Sequence, residues 1–317
     1  MLSALQSVFS VILMIGLGFF LAKRRWFEGS SSALISRLVV NVALPTYMIS
    51  NLMGGYDRAK LLDMLPGLPV PFLVMIVSYV AAMGLARLIR VQKDRRGAFQ
   101  SMFALSNSVF IGLPVNVLLF GDASLPYALL YYIANTTTFW TIGVYGIAVD
   151  GSIRKNGPRP SLVSLSGLRR ILSPPLLGFF AAVIMIMLRI RLPKSIMDTC
   201  RYLGSMTTPL SMLFIGIVIA PVEWKALRFE RDFLVILAGR FLVTPALMFF
   251  LVRGLDFPLL MKQVFLMQAA MPSMTQNPIL AEAYGADAEY TAIGTSLTTV
   301  LSMLSIPIYM TLVGVLF

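Results

Sequence analysis

The sequence predicts an all-α membrane protein with ten transmembrane helices in two inverted five-helix repeats, in which helices four and nine are broken and cross. Three observations carry this prediction. First, 58% of the 317 residues are hydrophobic and only 13% are charged, whereas a soluble domain is roughly 45–50% apolar and about 25% charged. Second, apolar stretches of the length that spans a bilayer, about 20 residues, recur along the chain. Third, punctuating residues recur at one fixed offset in the two halves.

The apolar stretches define ten predicted spans with short connections. The first is too long for a cleavable signal, lacks a basic segment before it, and is followed by Lys23-Arg24-Arg25, so it is interpreted as a membrane helix. Residues 1–149 hold the first five spans, residues 150–170 form a cytoplasmic connector, and residues 171–317 hold the second five, all within one membrane domain. The spans lie at about 3–22, 35–53, 66–89, 98–119, 124–149, 171–189, 199–220, 231–253, 260–282 and 289–315.

Basic residues predict the orientation. The loops and adjoining span ends after odd-numbered spans carry 17 Lys and Arg, and those after even-numbered spans carry 8. Because basic loops stay in the cytoplasm, both termini are expected outside a cell inner membrane. The net charge of +12 is thus mainly a topology signal with some attraction to anionic lipid, and no soluble domain is visible that would bind nucleic acid.

The two halves of the sequence resemble each other. A shift of 164 residues aligns Arg25 with Arg189, Arg37 with Arg201, Pro45 with Pro209, Pro114 with Pro278, and Gly121 with Gly285. Each half holds five spans, and consecutive units with an odd number of spans face opposite ways in the membrane. This pattern predicts an inverted repeat, which is common in secondary transporters.

Helix breakers in spans four and nine predict a binding site. Proline removes a backbone donor, and in lipid the freed backbone groups survive only where they face protein or a polar cavity. Broken helices at matching positions of two repeats point to a transporter's substrate site, where helix N-termini attract anions. The candidate substrate-binding residues are Asn107, Gly112, Pro114 and Asn116 in span four, with the break placed at Gly112-Leu113-Pro114, and Pro272, Ser273, Gln276 and Asn277 in span nine.

Other polar residues within spans have competing interpretations. Arg240, within span eight, could contact a substrate carboxylate, bond the carbonyl groups freed around Pro245, or extend to the membrane surface. The paired proline kinks at Pro45 and Pro209 could line the site or act as hinges. The polar patch Asn135-Thr136-Thr137-Thr138 favours hydrogen bonding to neighbouring helices.

Absent residue types exclude several functions. The sequence has no histidine and one cysteine, Cys200, which excludes histidine proton relays and disulfides within the chain and makes a bound transition metal unexpected. No acidic residue lies clearly within the middle of a span, so no proton-coupling group is assigned. No catalytic motif is visible, and neither an enzyme nor a cofactor is expected.

Five segments of the chain carry a family resemblance: VALP at 42–45, SNSVFIGLPVNVLLFGDASLPYA at 106–128, RFLVTPAL at 240–247, MPSMTQNPILAEAYGADAEYTA at 271–292 and LSMLSIPIY at 301–309. These segments resemble the auxin efflux carrier family of membrane permeases, including its bacterial members, a family of the bile acid, auxin and arsenite transporter superfamily. The resemblance covers the whole chain. It implies a scaffold part and a mobile part, organic anion substrates, an elevator-like motion and a homodimer, and it matches Asn107 and Pro114 to the first crossover and Pro272 and Asn277 to the second. An acidic group of the third span in plant carriers has no equivalent in residues 66–89.

The expected function is therefore transport of a small organic carboxylate by alternating access. Three alternatives stay open: a sodium-coupled symporter of the bile-acid type, a membrane sensor that binds without transport, and a channel. Saturable flux with counterflow would favour a carrier over a channel.

Overall fold

A computed structural model describes residues 2–27, 31–158, 160, 174–220 and 231–317. Within these residues the regular structure is helical, and extended pairing is limited to one isolated bridge between Ser106 and Ser273. The α-helices in chain order are α1 (Leu2–Lys23), α2 (Ser31–Leu38), α3 (Leu44–Gly55), α4 (Arg58–Met64), α5 (Pro69–Leu88), α6 (Arg96–Ala104), α7 (Leu113–Phe120), α8 (Leu125–Thr138), α9 (Val144–Arg154), α10 (Pro174–Met187), α11 (Lys194–Ser205), α12 (Thr207–Ile219), α13 (Arg231–Ala238), α14 (Thr244–Arg253), α15 (Leu259–Ala269), α16 (Asn277–Tyr284) and α17 (Ala288–Leu316).

Four helical stretches of the described chain are long and apolar enough to cross a membrane: Ala33–Gly55, Arg58–Leu88, Arg231–Arg253 and Ala288–Leu316. Shorter apolar helices lie at Leu13–Lys23, Ser108–Phe120 and Pro174–Met187. Large apolar side chains on α5, such as Leu73 and Val80, are at least half exposed, as expected of a surface that lipid covers. The prediction of an all-helical membrane protein is thus confirmed, whereas ten spans in an inverted repeat stay a prediction.

The same local structure accommodates a proline at three helix junctions. A five-residue π-helical turn precedes α3, α7 and α14, and the proline is the second residue of the α-helix that follows, at Pro45, Pro114 and Pro245. Proline lacks an N–H and clashes with the preceding turn, and a wider π turn relieves this conflict without ending the helix. A fourth π turn, Phe139–Gly143, joins α8 to α9 without a proline.

Contacts divide the chain into two units, and each takes segments from both halves of the sequence. The first consists of Met1–Pro66, Val109–Leu129 and Leu172–Val222. In it, α1 packs on α12, and α3 packs on α10 and α11. The α1–α12 contact is close because Gly18 lies against the Leu213 backbone and Gly216 against the Ile15 carbonyl, where any Cβ would clash.

The second unit consists of Gly67–Ser108, Leu130–Ile171 and Glu223–Phe317. Here α6 packs against α5 and α9, and α16 packs against α17 and α9. The α6–α9 contact joins two glycines, Gly97 and Gly146, so closely that a Cβ on Gly97 would overlap the Gly146 backbone. Small residues let helix backbones approach in this way, and large side chains such as Phe99, Phe103 and Phe265 fill the surrounding core.

The structure corrects one predicted break and extends one predicted span. Helix four is interrupted at Leu105–Asn107, not at Gly112-Leu113-Pro114, because the π turn absorbs Pro114 and Ser108–Phe120 stays helical. The break in helix nine lies between Ala269 and Asn277, as expected. The helix of predicted span five continues through α9 to Arg154, so it extends beyond the predicted membrane boundary at 149. Most of the connector at 150–170 lies outside the described residues.

Candidate functional site

Two extended segments of the second unit cross at the helix breaks. The first follows α6, where Leu105 has extended dihedrals, and the second lies between α15 and α16. Ser106 and Ser273 face each other in an antiparallel bridge, and the Asn107 nitrogen donates to the Pro272 carbonyl oxygen at 2.7 Å. Asn107 and Ser273 are at most 3% exposed, so the crossing lies in the interior of the unit.

Asn135 of α8 completes the backbone hydrogen bonds of Ser106. Its Oδ1 accepts from the Ser106 nitrogen at 3.1 Å, and its Nδ2 donates to the Ser106 carbonyl oxygen at 2.7 Å. A side-chain amide thus takes the place of a neighbouring strand, since buried backbone groups require partners. The polar patch was expected to bond neighbouring helices, but Asn135 instead bonds the backbone of an extended segment.

Thr298 of α17 serves the second segment in a similar way. Its hydroxyl oxygen accepts from the Ser273 nitrogen at 3.2 Å and lies 2.7 Å from the Ser273 hydroxyl. The Thr298 hydroxyl also lies 2.9 Å from the Thr295 carbonyl oxygen of its own helix. Each crossing segment is therefore held by a polar side chain of the second α-helix after it in sequence, α8 for the first segment and α17 for the second.

Two further hydrogen bonds tie each broken helix to the other. The Ser101 hydroxyl on α6 donates to Asn277 Oδ1 at 2.7 Å, at the first residue of α16. Gln268 Nε2 near the end of α15 donates to the Ser108 carbonyl oxygen at 3.3 Å. The half-helix before each break thus contacts the chain just after the other break, which fixes the two breaks relative to each other.

Arg240 supplies a positive charge beside the second break. Its side chain is fully buried, and its Nη2 donates to the Ala269 carbonyl oxygen, at the last residue of α15, at 2.6 Å. The C-terminal end of a helix carries partial negative charge and unpaired carbonyl groups, which favours a cation there. Burial rules out extension of Arg240 to the membrane surface. The carbonyl group that Arg240 bonds lies at the break between α15 and α16, not at the kink around Pro245.

Several polar atoms at the crossing have no hydrogen-bond partner within the described parts of the chain. They include Asn277 Nδ2, Gln268 Oε1 and two nitrogens of Arg240, Nε and Nη1. The Tyr131 side chain hydrogen-bonds to Arg240 and also interacts electrostatically with it, but none of the ion pairs between described residues gives this guanidinium an acidic partner. Buried donors and a buried charge are costly unless they are satisfied, so the crossing is suited to bind an anion with acceptor oxygens.

The predicted site residues fall into two groups. Six lie in the second unit at or beside the crossing: Asn107, Arg240, Pro272, Ser273, Gln276 and Asn277. Gly112, Pro114 and Asn116 lie in the first unit, where Asn116 Nδ2 donates to the Gly112 carbonyl oxygen at 2.7 Å within one helical stretch. This last contact is local and satisfies the helix around the proline.

Three residues of the crossing were not singled out from the sequence. Ser101 and Thr298 resemble many other small hydroxyl residues in apolar helices, so no local pattern identifies them. Gln268 did carry a signal, because it is a long amide at the start of the segment QAAMPSMTQNPIL. No group of three or more His, Cys, Asp or Glu side chains that could hold a metal ion occurs in the described chain.

A second polar cluster of the same unit lies outside the predicted spans. Asp287 caps α17 by accepting from the Tyr290 nitrogen at 3.0 Å, and it pairs with Arg95 at 2.8 Å and with Arg154 at 3.1 Å. Burial opposes ionisation of Asp287, but the Tyr290 N–H and the two arginines prevail and lower its pKa.

For Asp150, unlike Asp287, the effect of burial on the pKa is larger than that of its hydrogen bonds. Asp150 is 1% exposed, and its carboxylate accepts from the nitrogens of Gly97 at 2.9 Å and Ala98 at 2.8 Å, at the start of α6. Burial raises the pKa of Asp150 to about 7, although these two N–H groups oppose the shift. The helix that leads into the first break thus begins on a buried titratable carboxyl group.

Comparison with known proteins identifies the family. The model of the family described as membrane transport protein, which is the auxin efflux carrier family, matches residues 3–310. The chain therefore belongs to this family. This result confirms the resemblance found in the sequence.

The chain is also similar to individual transporters. It is 26% identical over 312 residues to an uncharacterised transporter of Methanocaldococcus jannaschii, covering 95% of this chain and 96% of that one. It is 26% identical over 309 residues to an uncharacterised transporter of Methanothermobacter thermautotrophicus, with 96% of each chain covered. A putative malonate transporter of Rhizobium meliloti is 25% identical over 206 residues, which are 64% of this chain and 62% of that one.

Proposed function

We propose that this member of the membrane transport protein family is a secondary carrier for a small organic carboxylate, and that the crossing in the second unit binds the carboxylate group. The observation that carries the proposal is the set of buried donors at the crossing. Asn277 Nδ2, at the first residue of α16, and two nitrogens of Arg240, Nε and Nη1, are buried donors that make no hydrogen bond within the described chain. Such an array attracts a carboxylate.

The chemistry of one relative supports this choice of substrate class. The Rhizobium meliloti protein is named a putative malonate transporter, and malonate is a small dicarboxylate. The proposed substrates are therefore mono- and dicarboxylates of a few carbon atoms, with one carboxylate at the crossing.

The proposed transport cycle is alternating access with an elevator-like motion, in which the second unit carries the substrate. Support comes from the hydrogen bonds of the crossing, all of which begin and end within that unit. A further support for the proposed inverted repeat is that Asn135 and Thr298, 163 positions apart, perform matching roles. The homodimer, the ten spans and the external termini belong to the same proposal.

The test measures binding and transport by the purified full-length chain. Thermal unfolding is followed with acetate, lactate, malonate and succinate, and uptake of a stabilising compound is measured in proteoliposomes. Asn277→Ala is expected to abolish both the stabilisation and the uptake, and Asn107→Ala to reduce both at least tenfold. Asn41→Ala is the matched control, because it removes the same side chain at an exposed position of the first unit and is expected to leave binding and uptake unchanged.

The outcomes separate the alternatives. Wild-type uptake by both asparagine variants would refute the assignment of the site. Stabilisation that requires sodium would favour a sodium-coupled symporter, binding without flux would favour a sensor, and flux without saturation or counterflow would favour a channel.

A further inference from the structure

A crevice of about 720 Å³ opens on the surface of the second unit, away from the crossing. Its walls are α5 and α9, and the start of α6 contributes Gly97 and Gln100. We call it the α5–α9 crevice. Apolar side chains line most of its length and basic side chains line one end, so it has an apolar part and a cationic part.

The apolar part is a stripe along α5. Ile76, Val80, Met83 and Arg87 all line the crevice, and their spacing of four, three and four residues places them on one face of a helix. Ile76 and Val80 are 49% and 60% exposed. From Ile76 to Arg87 the stripe is about 16 Å long at 1.5 Å per residue, which is close to one leaflet of a bilayer core about 30 Å thick.

The opposite wall has the same character. Ile142, Tyr145, Val149 and Ile153 of the α8–α9 stretch line the crevice at spacings of three or four residues. The two stripes therefore enclose an apolar channel that is open to the lipid-facing surface.

The cationic end consists of Arg87, Lys93 and Arg96. Arg96 Nε donates to the Val91 carbonyl oxygen at 3.0 Å, whereas the side chains of Arg87 and Lys93 make no hydrogen bond or ion pair with any described residue. The neighbouring Arg95 and Arg154 differ in this respect, because they pair with Asp287. The crevice therefore contains two basic side chains, Arg87 and Lys93, that are available to pair with an anion, whereas Arg95 and Arg154 are already paired with Asp287.

The acidic group in the crevice does not cancel this charge. Asp150 also lines it, but both carboxylate oxygens accept from backbone N–H groups of α6 and the residue is 1% exposed. Three basic side chains against one enclosed carboxyl group leave the end of the crevice cationic.

We propose that the α5–α9 crevice binds one anionic phospholipid of the cytoplasmic leaflet. Arg87 and Lys93 pair with the phosphate, and one acyl chain lies along the stripe of Ile76, Val80 and Met83. Three features favour this occupant: the groove matches one leaflet in length, its open side is apolar, and its basic end follows span three, where the excess of basic residues predicts the cytoplasmic side. Basic pockets between membrane helices on that side bind anionic lipid head groups.

The test compares two lipids with the same acyl chains, phosphatidylglycerol and phosphatidylcholine, added to delipidated full-length protein in detergent. Native mass spectrometry counts retained lipid, and thermal unfolding reports the stabilisation that binding to the folded state produces. Phosphatidylglycerol is expected to be retained and to raise Tm, and phosphatidylcholine to do so at least tenfold less effectively. Inorganic phosphate at millimolar concentration is expected to have no effect, because it lacks the acyl chain.

Two variants test the two parts of the crevice. Arg87→Gln/Lys93→Gln is expected to weaken phosphatidylglycerol binding about 30-fold, from the loss of two basic side chains near the head group. Val80→Trp fills the apolar part from an exposed position and is expected to displace the lipid with the charges intact. The matched control is Lys23→Gln/Arg24→Gln, which removes the same charge at the end of α1, where each side chain lies over a phenylalanine of its own helix.

The proposal is overturned if Arg87→Gln/Lys93→Gln retains phosphatidylglycerol as well as the control does, or if phosphatidylcholine stabilises the wild type equally. If inorganic phosphate stabilised the protein as much as phosphatidylglycerol does, the crevice would be a simple anion site and the proposal of a bound lipid would be overturned. If Val80→Trp no longer retains phosphatidylglycerol but unfolds at the wild-type Tm in phosphatidylcholine, the result would support the acyl-chain part of the site independently of the charges.

Discussion

The Ser101 hydroxyl donates a 2.7 Å hydrogen bond to Asn277 Oδ1, so the helix before one break is tied to the first residue after the other. The bond also orients the Asn277 amide. With Oδ1 occupied, Nδ2 is left as the donor, and it has no partner within the described residues. Ser101, 176 positions earlier in the sequence, thereby determines that the free group of Asn277 is a hydrogen-bond donor.

Loss of the Asn135 side chain should destabilise the second unit. Asn135→Ala leaves the Ser106 N–H unpaired in the interior and leaves the Ser106 carbonyl oxygen only the bond from the Ser108 nitrogen at 2.9 Å. Because one unsatisfied buried group costs about 1–3 kcal/mol, we expect unfolding in mild detergent to require about 1–3 kcal/mol less free energy than for wild type. Thr137→Ala, a half-buried change on the same helix, should cost under about 1 kcal/mol. Equal stabilities of the two variants would show that water or another group replaces Asn135.

The glycine contact between α6 and α9 should tolerate no side chain. A Cβ on Gly97 would overlap the Gly146 backbone, so Gly97→Ala must separate the two helices at a cost above about 3 kcal/mol. Gly84→Ala is the control, because a Cβ there meets nothing within 4 Å. That change should be neutral or stabilising by up to about 1 kcal/mol through helix propensity. The measurement is Tm by differential scanning fluorimetry; a normal Tm for Gly97→Ala would contradict the close approach.

Arg240 can be tested for its two remaining roles. Arg240→Met removes the charge and keeps much of the volume, and replacement of a buried charge by an apolar group is often tolerated. If Arg240 contacts substrate, this variant should fold with a Tm near wild type and lose carboxylate-induced stabilisation. If Arg240 only holds the Ala269 carbonyl, carboxylates should still stabilise the variant while its own Tm falls.

Asp150 should make stability depend on pH in a specific direction. Its pKa is raised to about 7 from an ordinary value near 4, so its contribution to stability is complete below about pH 4 and is lost as the pH rises through about 7. The change amounts to at most about 4 kcal/mol for three pH units. Asp150→Asn should flatten Tm between pH 5 and 8, apart from a constant offset for the lost N–H acceptor, and the exposed Asp63→Asn should not. A slope in Asp150→Asn equal to that of wild type would assign the pH dependence to other groups.

Asp287 should act with the opposite sign. Its pKa is lowered, so its contribution is present above the ordinary aspartate pKa and is lost as the pH falls through the lower value of the folded protein. Asp287→Asn should therefore reduce Tm most at neutral pH and least in strong acid. Arg95→Gln should remove part of the same stability, and the double variant should lose less than the sum of the two. Additive losses would show that the ion pair contributes nothing measurable.

The sequence predicted the helical membrane class because this class depends on composition and on apolar length. It also predicted the break in helix nine, because Pro272 and Pro278 enclose a polar segment and the chain has few ways to remain helical there. The break in helix four was placed wrongly. Gly112 and Pro114 looked like the stronger breakers, but a π turn accommodates the proline, whereas Leu105-Ser106-Asn107 contains no obvious breaker and is extended because Asn135 and the segment around Pro272 pair with it.

The partners within the site were harder to predict than its location. Ser101, Gln268 and Thr298 act through contacts across 176, 160 and 25 residues respectively, and no single-sequence pattern reports such contacts. Arg240 was identified because a charge within an apolar span is rare. Its hydrogen-bond partner, the Ala269 carbonyl oxygen, could not be predicted, because it depends on where α15 ends. Asp150 was assigned to a connector because the apolar run stops there, and only the fold shows that it is enclosed.

The bonds that Asn135 and Thr298 make to the crossing segments have a consequence for hydrogen exchange. Irregular chain usually exchanges its amide protons quickly, yet the amides of Ser106, Asn107 and Ser273 each have an acceptor in a buried environment. Their deuterium uptake should be as slow as that of core helices, because exchange would require the unit to open and not a loop to fluctuate. A ligand that reaches this point would then meet a backbone that is already rigid, so little conformational entropy would be lost on binding.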